Sequence, residues 1–267
     1  MLKSIRSQVK SILYPLYEAR IIKNLDFTKT PRHVGVTLDG NRRWAKQNPD
    51  STDPYGHKRG AQKIADLLGW CEESQVEVVT LWMLSTDNFK RSAEEVDTLI
   101  EVISEIVDDL AARKRWSIKA VGALDTLPPA LASKLAALES QTGSIARKSA
   151  TKPALQVNVA IAYGGRREIV DAVKGFLADQ EAAGRTLAEA SEALCDESIA
   201  ANLYTAGQID PDLLIRTSGE QRLGGFLLWQ SALSEFYFCE AYWPDFRRVD
   251  FLRALRDYSH RHRRLGR

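Results

Sequence analysis

Four stretches of the chain combine arginine with glycine or a carboxylate in a spacing suited to holding phosphate. They are Asp39-Gly40-Asn41-Arg42-Arg43-Trp44, Ser85-Thr86-Asp87-Asn88-Phe89-Lys90-Arg91, Tyr163-Gly164-Gly165-Arg166-Arg167-Glu168 and Arg216-Thr217-Ser218-Gly219-Glu220-Gln221-Arg222. Arginine presents a planar fork of donors that matches phosphate oxygens, and glycine lets backbone N–H groups approach an anion at a helix start. Asp39 directly follows the β-branched run Val34 to Leu38, so its carboxylate stands at a strand end. An oxygen ligand beside substrate phosphates is what Mg²⁺ prefers, and Asp39 is the leading metal ligand. Glu235 lies in the aromatic run Ser234 to Phe238 and needs a partner, because a buried carboxylate is costly alone. Among four histidines, His57 stands out in Tyr55-Gly56-His57-Lys58-Arg59-Gly60, where an imidazole could donate to phosphate or merely cap a helix.

These residues need a scaffold that brings separate loops together. Short β-branched runs alternate with longer helix-periodic stretches, the pattern of helices crossing over a mainly parallel sheet. The predicted strands are His33 to Leu38, Val76 to Leu84, Ser117 to Gly122, Leu155 to Tyr163, Leu213 to Thr217 and Phe236 to Cys239. The predicted helices are Lys58 to Ser74, Ala93 to Arg113, Pro129 to Arg147, Arg166 to Ala183, a smaller one over Asp196 to Tyr204, and Phe251 to Arg263. In such folds chemistry sits at the carboxyl ends of the strands. All four arginine-bearing stretches follow predicted strands, so they are expected to converge on one rim as a polyphosphate cradle.

At 267 residues with 44% apolar content, the chain is expected to form one α/β domain that folds without disulfides or a structural metal. Its net charge of +2 gives no global reason to bind nucleic acid. Cys71, Cys195 and Cys239 are scattered, as expected of reduced thiols in a cytoplasm. No apolar run approaches a membrane span, and no signal-peptide pattern opens the chain. Leu2 to Ile22 carries apolar residues at helical spacing with Lys3, Arg6 and Lys10 among them, interrupted at Pro15. It reads as an N-terminal helical segment over residues 1–32, packed on the domain or a subunit partner, with peripheral membrane contact as the alternative. Nucleotide loops are missing: Gly35 to Gly40 has Walker spacing, but Asn41-Arg42 replaces the Lys and Ser/Thr.

The ordered strings identify a resemblance. Asp39 to Ala45, Gly56-His57, Ser85 to Asn88, Tyr163 to Arg166, Asp212 to Thr217, Phe226 to Gln230 and Trp243 to Phe246 resemble the motifs of cis-prenyltransferases, the undecaprenyl diphosphate synthase family. The resemblance spans about residues 33–267 and is closest to the actinobacterial short-chain branch that makes (2Z,6E)-farnesyl diphosphate. It implies a homodimer in which each subunit holds an apolar tunnel with diphosphates at its mouth, and Mg²⁺ as cofactor. By that resemblance, Asp39 engages Mg²⁺ and the allylic diphosphate, and Glu235 is a second metal-linked carboxylate. Gly40, Asn41, Arg42, Arg43 and Trp44 form the allylic loop, with His57 nearby. Arg216 and Arg222, with Leu223 and Gly224, grip isopentenyl diphosphate. Ser85, Thr86, Asp87, Asn88, Phe89 and Arg91 stand next to the reacting carbons. Arg264 reaches toward the partner's site. Asn88 aligns with a residue described as proton acceptor, yet a neutral amide is a very poor base, so it is expected to orient substrate while diphosphate oxygen takes the proton.

Three departures qualify the carry-over. Asp53 stands where long-chain members carry arginine, Phe89 where Trp is common, and Gly224 where Ser is common. Bulky Met83-Leu84 at a strand end is expected to shorten the tunnel, giving a C15 product from geranyl diphosphate and one isopentenyl unit. The alternatives are a long-chain synthase that feeds cell-wall lipid carriers, at the inner face of the membrane, and a non-catalytic scaffold subunit.

Overall fold

The computed structural model describes residues 14–49, 51, 53, 55–143, 145 and 154–261. Six strands form one all-parallel sheet in the order β3-β4-β2-β1-β5-β6: β1 (His33–Thr37), β2 (Val78–Trp82), β3 (Ser117–Val121), β4 (Gln156–Ala160), β5 (Leu213–Arg216) and β6 (Glu235–Phe238). The two central strands β1 and β2 are buried over their first four residues, as a parallel sheet covered by helices requires. Helices are α1 (residues 14–24), α2 (Asn41–Gln47), α3 (His57–Glu73), α4 (Ala93–Arg113), α5 (Pro129–Thr142), α6 (Gly165–Ala182), α7 (Leu187–Ala193), α8 (Asp196–Ala200) and α9 (Arg248–His260).

Topology places the site. From β1 the chain runs toward β2 on one side of the sheet, whereas from β5, the neighbour on the other side, it runs outward to β6. The loops leaving β1 and β5 therefore diverge and open a crevice at their carboxyl ends, the position where open α/β sheets bind ligands. Asp39 and Arg216 lie on its two lips.

Each of the six predicted strands is present, all shorter than predicted except β6, because pairing stops where the loops turn away. Ala93–Arg113 is helical as predicted. Two short helices escaped the periodicity. In α2 only Ala45 is buried, and in α7 only Ala190, so neither carries an apolar stripe. The last helix starts three residues before the predicted Phe251, because Asp250 accepts the backbone N–H and side chain of Arg247 and caps a new start. Of the predicted helix over Pro129 to Arg147, α5 covers Pro129–Thr142, while residues 144, 146 and 147 lie outside the described residues; the one over Asp196 to Tyr204 ends at Ala200.

Residues 14–24 are helical, Pro15 included, and bury Ile21 against Val249 and Leu252 of α9, with Arg247 and Arg253 stacked on Tyr14 and Tyr17. The described part of the N-terminal segment thus packs on the domain. Leu2 to Leu13 and Arg264 lie outside the described residues. No described helix is long and apolar enough to cross a membrane.

Candidate active site

A cavity of about 680 Å³ opens at the carboxyl ends of β1, β2 and β5. Asp39, Gly40, Asn41, Arg42, Arg43, His57, Ser85, Asn88, Arg91, Arg216 and Arg222 line it, and three of the four arginine-bearing loops meet there as expected. Beneath the polar rim the walls are apolar: Ala61 and Ile64 from α3, Met83 beyond β2, and Leu99, Val102, Ile103 and Ile106 from α4. Those α4 residues fall at i, i+3, i+4 and i+7, one face of a helix, and extend the greasy wall by about 10 Å.

The fourth loop does not reach the rim. Gly165 lies against the Gly225 carbonyl and Leu228, where a Cβ would come within 2.5 Å, and Arg167 pairs outward with Asp171 at 2.7 Å. Glu168 is buried and accepts hydrogen bonds from the Tyr163 hydroxyl, the Tyr204 backbone N–H and the Gln230 amide. Tyr163 in turn accepts from the Leu227 N–H, and Phe226 stacks on Trp82 at 5.1 Å. The expectation that this loop cradles phosphate is corrected: it buttresses the segment after Arg222.

Asp39 and Arg216 form the centre of one lip. Asp39 Oδ2 accepts from Arg216 Nη2 at 2.8 Å, and Oδ1 accepts from the Gly40 N–H at 2.7 Å. Burial alone would raise the Asp39 carboxyl, but the hydrogen bond and charge of Arg216, the Gly40 N–H and nearby Arg43 outweigh it and hold it below the usual range. Arg43 bridges Glu220 at 3.0 Å and Ser218 at 2.7 Å, and Glu220 also takes Arg222 at 2.6 Å. Arg216 Nη1 donates to the Arg222 carbonyl at 2.6 Å. Gly224, at φ +71°, makes this possible, since a Cβ there would sit 2.8 Å from Arg216 Nη1. A serine would add a hydroxyl but crowd the guanidinium. Gly40 adopts φ +105° to turn from β1 into α2, with Tyr242 and Ser218 too close for any side chain.

The opposite lip is built on Glu95, which sequence reasoning missed. It is buried in the first turn of α4, 2.6 Å from Arg91, 3.6 Å from Arg42 and 3.9 Å from His57. Only the Arg91/Glu95 spacing of four residues signalled any part of this. Asp53 is buried and accepts the backbone N–H groups of His57 at 3.1 Å and Arg59 at 2.9 Å. It therefore caps the start of α3.

Burial, then the charge of Arg91, holds the His57 imidazole down at about 4 against the opposing pull of Asp53 and Glu95. It is neutral at pH 7, so its approach to Glu95 is not an ion pair. Four buried polar atoms of cavity-lining residues have no protein partner: Asn41 Oδ1, His57 Nε2, Arg216 Nε and Trp82 Nε1. Orphaned buried groups converging on one cavity are groups awaiting a polar ligand.

The Asn88 carboxamide oxygen accepts the Ser85 N–H at 2.7 Å, which leaves only its NH₂ for the cavity: a donor, as expected of an orienting residue. The other expected residues stand behind the rim. Thr86 lies against Gly164, Asp87 pairs with Lys90 on the surface, Phe89 packs on the core, Trp44 backs Gly56, and Leu223 packs by Trp82 and Phe226.

Glu235 does not join Asp39 within the chain. The register sets Glu235 opposite Leu213 and Leu213 opposite Val34, at the amino edge of the sheet. At least about 10 Å of strand separates that level from the end of β1. Glu235 pairs instead with Arg261. Within one chain, Asp39 is thus the member of the expected pair of carboxylates that lines the cavity, and Glu235 is not. Among the described residues no three His, Cys, Asp or Glu side chains form a metal cluster. A single ionised carboxylate facing a phosphate cradle still fits Mg²⁺, which completes its shell with phosphate oxygens and water.

His57 shares its low imidazole with His33, held at about 4 chiefly by burial, with Nδ1–H donating to the Ile209 carbonyl and Nε2 accepting from Thr80. In the unfolded chain both protonate near pH 6.5, but in the folded protein only near pH 4. Their contribution is therefore complete above pH 6.5 and lost as pH falls toward 4. Urea denaturation is expected to lose about 2 kcal/mol per histidine between pH 7 and 5. Glu168, raised by burial, acts in the opposite direction, so a His33→Asn variant should show a shallower pH slope.

The comparisons agree with this geometry. The prenyltransferase family model described as undecaprenyl diphosphate synthase matches residues 37–266. A (2Z,6E)-farnesyl diphosphate synthase of Thermobifida fusca is 54% identical over 95% of this chain and 97% of its own. A short-chain Z-isoprenyl diphosphate synthase of Mycobacterium leprae is 50% identical over 97% of each. The crystal structure of lavandulyl diphosphate synthase from Lavandula x intermedia, in complex with dimethylallyl diphosphate, superposes with a TM-score of 0.80 at 31% identity, covering 90% of this chain and all of that one. With an arginine-rimmed apolar cavity at the switch point of a parallel sheet, and relatives alike along nearly their whole length, the chain belongs to the undecaprenyl diphosphate synthase family of prenyltransferases.

Proposed function

We propose that the enzyme condenses isopentenyl diphosphate with geranyl diphosphate to give (2Z,6E)-farnesyl diphosphate and diphosphate. The observation that carries this reading is a cavity with a cationic rim and an apolar interior that Met83 helps to line. Relatives named for short products support the chain length. Leu84 is fully buried and does not line the cavity, so Met83 is the one member of that pair set to limit product length.

In this reading Arg42, Arg43, Asn41 and His57 bind the allylic diphosphate beside Asp39, while Arg216 and Arg222 bind isopentenyl diphosphate. Asp39 would hold Mg²⁺ together with substrate oxygens, and the ion supplies Lewis-acid charge to the departing diphosphate. Arginines aimed at that group stabilise negative charge as it develops, so they favour the ionising transition state over the bound substrate. C4 of isopentenyl diphosphate then bonds to the allylic carbon, and a proton is lost as the new cis double bond forms. The Asn88 NH₂ orients substrate, and diphosphate oxygen is the base. Ring-stacked Trp82 and the α4 face exclude water from the cation.

Assembly as a homodimer, with Arg264 reaching a partner's diphosphate, is part of the same proposal, as are a cytoplasmic setting and contact with the membrane's inner face. Incubation of labelled isopentenyl diphosphate with dimethylallyl, geranyl or farnesyl diphosphate, followed by product sizing, tests the reading. A C15 product from geranyl diphosphate is expected, and Met83→Ala is expected to add one or more isoprene units. A wild-type product of ten or more units would overturn the short-chain assignment.

A further inference from the structure

Glu95 touches three groups that line the cavity yet does not line it itself. Arg42 comes from α2 and Arg91 from the segment before α4, so one buried carboxylate pairs with cations of two separate elements and stands 3.9 Å from His57 at the start of α3. Its side chain is only 9% exposed, and a carboxylate so buried is held by its cations or not at all. Starting α4 does not need it, since the Ser92 hydroxyl already accepts the Glu95 N–H. Arg42 and Arg91 repel each other: burial, then the charge of Arg42, pushes the Arg91 guanidinium down, and Glu95 opposes both. Without Glu95 these two cations would separate, and His57 would lose the charge opposite its orphaned Nε2.

The other lip of the cavity has its own ties. Asp39 and Glu220 hold Arg216, Arg43 and Arg222, and no residue of that network contacts Glu95 among the described ion pairs and hydrogen bonds. The two lips thus share no direct ion pair or hydrogen bond, although the charge of Asp39 acts on Arg91 across the cavity.

We propose that Glu95 is a positioning residue for the allylic diphosphate. It holds Arg91 and Arg42 at the mouth, beside His57, before substrate arrives, so that the diphosphate meets donors already in place. The proposal rests on the reading that this lip takes the allylic substrate. It deepens that reading by predicting that one carboxylate outside the cavity sets affinity for one of two chemically similar diphosphates.

Glu95→Gln keeps the shape and one acceptor but removes the charge. Steady-state kinetics with geranyl and isopentenyl diphosphates varied separately is expected to show the allylic KM raised about tenfold, the size of one charge-assisted hydrogen bond, with the isopentenyl KM within about twofold. Addition of Glu95→Gln to Arg91→Gln is expected to raise the allylic KM by less than it does alone, because part of its effect runs through Arg91. Both KM values rising together, no change in either, or additive effects in the double variant would each overturn the proposal. Should Glu95→Gln fail to fold, Glu95→Asp, which keeps the charge but withdraws it by one methylene, carries the same test. A wild type that turns over no allylic diphosphate would sink the reading of the lip itself, an outcome separable from failure of the Glu95 variants.

Discussion

Asp39→Asn is expected to lower kcat by about three orders of magnitude while the fold survives. Removal of one preorganised group aimed at developing charge typically costs about 10²- to 10³-fold, and Asp39 serves twice, as proposed ligand of Mg²⁺ and as the anion that orders Arg216 and Arg43. Asparagine is isosteric and its oxygen can still accept from Arg216, so packing around β1 is preserved. Arg43 and Arg216 would be left less compensated, but Arg43 keeps Glu220 and Arg216 keeps the Arg222 carbonyl as acceptors. The melting temperature is expected to move by less than about 4 °C. Substrate binding should suffer far less than turnover, since the cations that grip phosphate remain and lose a competitor. Single-turnover kinetics beside titration with geranyl diphosphate would separate the two. A drop in affinity as large as the drop in rate would show that Asp39 mainly assembles the cradle.

How the site could be read in advance depended on which physical rule governed each residue. Strand ends were legible because β-branched runs stop where polar residues begin, and parallel topology then forces the following loops to one edge. Asp39, Arg91 and Arg216 could be found on that rule alone. The rule overreached at Tyr163 to Glu168, which also follows a strand: Tyr163 and Glu168 are buried and satisfied by Leu227, Tyr204 and Gln230, partners that no local pattern announces. It failed differently at Glu235. That residue begins its strand rather than ending it, so the same geometry that collects Asp39 and Arg216 carries Glu235 to the far edge. Glu95 was invisible because its meaning lies in three contacts made across separate elements. In sequence it is one acidic residue in a helix's first turn, an ordinary place for a carboxylate.

Helix α2 shows a related limit. Its residues Asn41 to Gln47 look like a loop because only Ala45 faces the core, yet the turn at Gly40 and the contact with α3 fold them into a helix. Winding the segment sends Arg42 toward Glu95 and Arg43 toward Glu220, on opposite lips. Adjacent residues on a helix are about 100° apart, so one short helix supplies a cation to each lip of the cavity. An extended loop of the same letters would not divide them so.

Arg216→Gln is expected to reduce kcat/KM by about 10²- to 10³-fold and, more tellingly, to move its pH dependence. In the wild type Arg216 is the main force that keeps Asp39 ionised against its own burial. With that guanidinium gone, burial is opposed only by the Gly40 N–H and Arg43, and the Asp39 carboxyl rises. The acidic limb of the kcat/KM profile should therefore shift to higher pH in the variant. Glutamine also abandons the Arg222 carbonyl, which Arg216 Nη1 ties at 2.6 Å, so the isopentenyl diphosphate KM should rise with it. The two effects have separate signatures: Arg222→Gln, which leaves Asp39 and Arg216 paired, should raise the same KM without moving the acidic limb. If both variants gave superimposable pH profiles, Arg216 would be acting only as a phosphate ligand, and its 2.8 Å contact with Asp39 would carry no part of the chemistry.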